Sequence, residues 1–151
     1  MNLKLRLTLV SFFQFFVWGA WLITIATYFF SNGMGTGAQF GAIFSTLAIS
    51  SLIMPALTGI IADRWMNAER LYGILHILYG AILFYIPQVK DADTLYYVIL
   101  AAMLCYMPTI SLSNSISYTI LKRENFDVVK VFPPIRVWGT IGFLVPMWTT
   151  H

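Results

Sequence analysis

Leu7-Thr8-Leu9-Val10-Ser11-Phe12-Phe13-Gln14-Phe15-Phe16-Val17-Trp18-Gly19-Ala20-Trp21 continues to Phe30 without a charged residue. Lys4 and Arg6 precede it, as a basic flank precedes a signal peptide. The uncharged run is too long for that, because a signal h-region has roughly 7–15 residues. It is long enough to cross a bilayer core of about 30 Å. It reads as a retained first membrane helix.

Four further stretches of the same kind follow. The predicted helices run over residues 7–30, 38–62, 71–89, 94–121 and 131–150, within residues 1–151 taken as one incomplete N-terminal transmembrane domain. The composition agrees: 59% hydrophobic, 17% aromatic and 10% charged, against roughly 25% charged in an average soluble domain. The expected fold class is therefore all-α integral membrane. A net charge of +3, carried by scattered residues, gives no case for nucleic acid. The single cysteine, Cys105, excludes a disulfide framework.

Orientation follows from lysine and arginine. One side's connections hold Lys4, Arg6, Arg64, Arg70, Lys122, Arg123 and Lys130, whereas the other side's hold only Lys90. The positive-inside rule places the first side, with the N-terminus, in the cytoplasm.

Candidate functional residues sit on helical stripes. The last span opens at Phe132-Pro133-Pro134, which suits a helix start because first-turn N–H groups have no intrahelical partner to lose. Arg136, Thr140 and Phe143 then share one face, placing a cation, a hydroxyl and an aromatic ring along one wall. Two readings of Arg136 stand: snorkelling to lipid headgroups, or an intramembrane charge marking a ligand pathway. In the first span Gln14, Trp18 and Trp21 form another stripe, read either as interfacial anchoring with helix packing or as a ligand-facing edge. In the fourth span Asn114 shares a face with Ser111 and Tyr118 and has an amide to satisfy, by a substrate or a neighbouring helix.

The second span is rich in small residues, Gly41, Ala42, Ser45, Ala48, Ser51 and Gly59 among them, which predicts close helix approach there. Pro55 predicts a kink in it. At its end Gly59, Asp63 and Arg64 suit a hinge at the membrane edge, and Asp63, unfavourable at a helix C-terminus, is expected to have a partner. His76 reads as a packed, hydrogen-bonded histidine or as a ligand or proton group. No zinc spacing, paired acids or nucleophile–base set lies inside the helices, so neither a metal site nor an enzyme is expected.

Several stretches together carry a resemblance. They are Met1-Asn2-Leu3-Lys4-Leu5, Phe15-Phe16-Val17-Trp18-Gly19-Ala20-Trp21, Met54-Pro55-Ala56-Leu57-Thr58-Gly59-Ile60-Ile61-Ala62-Asp63-Arg64-Trp65, Tyr106-Met107-Pro108-Thr109, Asn114-Ser115-Ile116-Ser117-Tyr118 and Phe132-Pro133-Pro134-Ile135-Arg136-Val137-Trp138-Gly139-Thr140. In this order they resemble the bacterial nucleoside:proton symporter family of the major facilitator superfamily. The resemblance implies nucleoside transport by proton symport in a bacterial inner membrane. It requires no cofactor beyond the proton as coupling ion. It also implies five helices of a six-helix N-terminal half, with the C-terminal half of the transporter as a missing partner. The resemblance implies that Arg136 and Thr140 match positions expected to line the central cavity, with Phe143 below them, while Gln14, Trp18 and Asn114 rest on helix facing alone. Gly59 to Arg64 resembles the superfamily's cytoplasmic motif, reduced downstream to Glu69-Arg70. On this reading the chain alone does not transport. The alternative is a small membrane-embedded protein that binds or regulates a partner.

Overall fold

The computed structural model describes residues 2–149. The helices are α1 (Leu3–Leu22), α2 (Thr24–Ser31), α3 (Gly37–Arg64), α4 (Ala68–Tyr85), α5 (Ala92–Arg123) and α6 (Val128–Thr149), with a 3₁₀ turn at Ile86–Gln88. Among the described residues, five segments are long and apolar enough to cross a bilayer: Leu3–Ser31, Gly37–Arg64, Ala68–Gln88, Ala92–Arg123 and Val128–Thr149. Exposed apolar side chains such as Leu52, Ile77 and Phe84 cover their outer faces, as lipid contact requires. Thr150, the expected end of the last span, lies outside the described residues.

Local chemistry sets the helix ends a few residues beyond the apolar runs. Asn2 caps α1, and Thr36 and Gln39 form a reciprocal capping box at α3. At α5 the Thr94 N–H donates to the Asp91 carboxylate at 2.8 Å, which holds that carboxyl below its ordinary range. Gly33, at φ +60°, ends α2 in a left-handed turn with Met34 N–H bonded to the Phe29 carbonyl. Asn125, at φ 55°, does the same after α5, where Phe126 N–H donates to the Leu121 carbonyl.

Three expectations are corrected. The first span is interrupted at Ile23, where the Thr24 hydroxyl donates to the Ala20 and Trp21 carbonyls. The last span starts at Val128 rather than at the Pro133-Pro134 pair. Asp127 begins it, its carbonyl accepting from Val131 N–H and its carboxylate from Lys130 N–H. The prolines therefore sit in the second turn, and Arg136 lies about 12 Å along the axis rather than near the end. Finally, the small residues of α3 divide: Ser50 is fully buried, whereas Gly41 and Gly59 face open space and bring no neighbour close.

The chain forms two compact units. In the unit Phe29–Leu112, the face of α5 carrying Leu95, Ile99, Ala102, Met103 and Tyr106 is fully buried. Tyr106 packs against Tyr79 of α4, with ring centroids 4.8 Å apart. His76 takes the packed role: its Nδ1–H donates to the Tyr72 carbonyl at 3.0 Å, the carbonyl being able only to accept. α3 and α5 carry Pro55 and Pro108 without interruption, and Thr58, Thr109 and Ser111 hydroxyls donate to carbonyls in the turns around them.

The other unit joins residues up to Tyr28 with those from Ser113 onward. At its basic end Leu7, Leu121 and Ile135 form a core with Phe126, Val128 and Phe132 packed on it. The Lys4 ammonium lies 5.1 Å over the Phe126 ring. This cluster ties together the start of α1, the end of α5 and the start of α6.

Candidate functional site: an arginine in a glycine notch between α1 and α6

Small residues bring α1 and α6 into backbone contact. Gly142 has no room for a side chain: a Cβ there would run into the Phe12 carbonyl group of α1. On the other side, a Cβ on Gly19 would lie 3.1 Å from the Pro146 ring of α6. Gly139 leaves a notch at the same seam. A Cβ there would meet Arg136 Nη1 at 2.7 Å, Phe15 Cδ2 at 2.8 Å and Ser11 Oγ at 3.0 Å.

The notch is where the guanidinium lies. Arg136 Cζ sits 4.1 Å over the Phe15 ring, a cation–π arrangement. Its Nη1 borders Gly139, three residues further into the helix, so the side chain extends away from the Val128 end. A snorkelling arginine would reach back toward that end. The geometry therefore favours a guanidinium kept inside the helical segment. Among the described residues no carboxylate pairs with it, since the ion pairs are Arg123–Glu124 and Lys130–Asp127. A half-buried cation with five N–H donors on an aromatic face is suited to an uncharged, acceptor-rich ligand.

The aromatic wall continues from there. Phe15 neighbours Trp18 at 6.3 Å, and Trp18 meets Phe143 of α6 edge-to-face at 5.5 Å. Thr140 lies between Arg136 and Phe143 on α6 and is exposed. Arg136, Thr140, Phe143 and Trp18 are thus brought together. Gln14 is 2% exposed, which leaves it almost no surface for a ligand. Asn114 is half-buried on α5, one turn from Tyr118, whose ring lies tilted against that of Phe132 of α6, with centroids 4.3 Å apart. Gly59, Asp63 and Arg64 belong to the other unit, with Asp63 and Arg64 exposed. Among the described residues Asp63 forms no ion pair, and it stands exposed at the end of α3.

Sequence reasoning missed Phe15, Ser11 and the glycines Gly139 and Gly142. Their signal was the two glycines on the Arg136 helix, since small residues let helix backbones approach closely.

Comparison with known proteins places the whole of this fold in one family. The family described as "Nucleoside H+ symporter" matches residues 1–150. Over 148 residues the chain is 45% identical to xanthosine permease of Escherichia coli (strain K12), covering 98% of this chain and 35% of that protein. It is 47% identical to nucleoside permease NupG of the same organism, with the same coverage. It superposes on the crystal structure of nucleoside transporter NupG with a TM-score of 0.93, at 46% identity, over 99% of this chain and 37% of that one. The chain spans about a third of the length of these relatives. It is an all-helical, multi-pass membrane protein, and it belongs to the nucleoside H+ symporter family.

Proposed function

We propose that this chain supplies one wall of the substrate site in a proton-coupled nucleoside permease of the bacterial inner membrane. The observation that carries this reading is the Arg136 guanidinium held over Phe15, inside the helical segment and beside exposed Thr140. Ribose hydroxyls and base carbonyls accept from guanidinium N–H groups, and Trp18 and Phe143 offer faces on which a base stacks. The activity is transport without covalent chemistry, and the proton is the coupling ion with no other cofactor. The basic connections, with the N-terminus, face the cytoplasm.

Among the described residues every aspartate and glutamate lies at a helix end or in a connection. A carboxylate that couples proton and substrate deep in the membrane therefore comes from the remaining two-thirds of such a permease, and the chain alone is inactive. The test joins this chain to the corresponding remainder of E. coli NupG and expresses it in cells lacking nucleoside uptake. Labelled uridine should accumulate and be lost when a protonophore collapses the proton gradient, while the chain alone stays at background. Accumulation by the chain alone, or none by a correctly inserted fusion, would overturn the proposal.

Phe15 positions the arginine on this reading. In the fusion, Phe15→Leu keeps the apolar volume but removes the ring under the guanidinium, an interaction of about 0.5–2 kcal/mol. Nucleoside affinity should fall by about tenfold, measured by equilibrium binding, with Phe15→Tyr near the original value.

A further inference from the structure

A second opening lies one turn from Arg136, toward the basic end of α6. It is a cavity of about 490 Å³ lined by Tyr118, Val128, Val129, Phe132 and Pro133, within the roughly 300–1,000 Å³ of small-molecule sites. Resting on the transport reading above, we infer that this groove is a second nucleoside station, between the Arg136 wall and the basic end of the chain.

Three observations carry it. The first is continuity. Val129, Phe132, Pro133, Arg136, Thr140 and Phe143 recur at helical spacing on one stripe of α6, so the groove and the Arg136 wall lie on a single track. On α5, Tyr118 shares a face with Asn114 and Ser111, the polar stripe of that helix. A molecule leaving Arg136 toward the basic end meets the groove after about 6 Å.

The second observation is the aromatic pair. Tyr118 and Phe132 stand 4.3 Å apart across the α5–α6 turn, and Tyr118 is 46% exposed, leaving ring surface for a base. Aromatic stacking holds bases with little regard to their identity, as a transit station requires.

The third is polar. Pro133 and Pro134 have no N–H, so the carbonyls of Val129 and Lys130 have no donor one turn ahead in the helix. Val129 lines the groove. A ribose hydroxyl or a base N–H can donate to such an acceptor, whereas a lipid acyl chain cannot. The proline pair, placed inside α6 rather than at its start, thus leaves carbonyls without their usual helical donors in the segment that lines the groove.

The test uses the fusion described above, carrying Tyr118→Leu with Phe132→Leu, which keeps apolar volume and removes both rings. Uridine KM is measured from the basic side in inside-out membrane vesicles and from the opposite side in intact cells. The basic-side KM should rise about fivefold or more, with the opposite-side KM changed by less than about twofold. A Phe132→Tyr variant, which keeps the ring, should match the unmodified protein on both sides. An unchanged vesicle KM would mean that the groove holds lipid or another helix, and would overturn the station alone. Equal increases from both sides, or a loss in Phe132→Tyr as large as in the leucine pair, would show damaged packing and overturn it too. An unmodified fusion that takes up no nucleoside removes the transport reading, and the station with it.

Discussion

Arg136→Ala, made in the fusion with the NupG remainder, should lower nucleoside kcat/KM by about a hundredfold or more while leaving membrane insertion unchanged. Hydrogen bonds to a charged group contribute about 1.5–3 kcal/mol each. Losing one or two of them from a half-buried guanidinium corresponds to a factor of about 10 to 10⁴. Insertion is expected to survive, because removing a charge from a spanning helix makes it cheaper to insert. Arg136→Lys is the sharper companion. Lysine keeps the charge as a single point and gives up the planar fork that spans two acceptors. It should recover only part of the activity, about tenfold below arginine. A headgroup anchor would accept lysine equally well, so full activity in Arg136→Lys would return the residue to the membrane surface. Uptake kinetics together with protease accessibility of the connections measure both effects.

Gly142→Ala should be the most damaging single methyl in the unit formed by α1, α6 and the end of α5. The added Cβ collides with the backbone carbonyl of Phe12, not with the flexible tip of a side chain, so the helices have to separate. Overpacking of this kind costs about 1–3 kcal/mol and occasionally more. The seam it opens also carries the Gly139 notch, so Arg136 and Phe15 lose register with it. Gly41→Ala is the control. Nothing lies within 4 Å of that position, and alanine in a helix interior is favoured over glycine by about 0.5–1 kcal/mol. Thermal unfolding of the purified chain in detergent should show a clear drop in Tm for Gly142→Ala and none for Gly41→Ala. Equal Tm values for the two variants would contradict the α1–α6 seam.

The five spans were legible because the bilayer demands about 20 apolar residues from any helix that crosses it, and no folding detail alters that requirement. Their ends were less so. Asp127 overrode the proline pair as the start of α6, because an aspartate can hold free first-turn N–H groups whereas prolines in a membrane helix need only have their freed carbonyls tolerated. The stripe Arg136–Thr140–Phe143 was readable from spacing on one helix. Its partner was not, because pairing depends on glycines of each helix meeting other residues of the opposite helix across more than a hundred residues of sequence. The small residues of α3 carried the same composition signal, yet Gly41 and Gly59 meet nothing here. Small residues permit close approach without naming the partner. Gln14 shows the converse: polar character at helical spacing left helix packing and ligand contact both open, and burial within the chain favours packing.

Photolabelling tests the substrate wall most directly. 4-Thiouridine is irradiated with the fusion, and the labelled peptides are identified by mass spectrometry with and without excess uridine. Uridine-competed label should appear in the segments 15–18 and 136–143 and disappear in Arg136→Ala. Competed label confined to peptides outside both segments would contradict the assignment of the nucleoside to the α1–α6 wall.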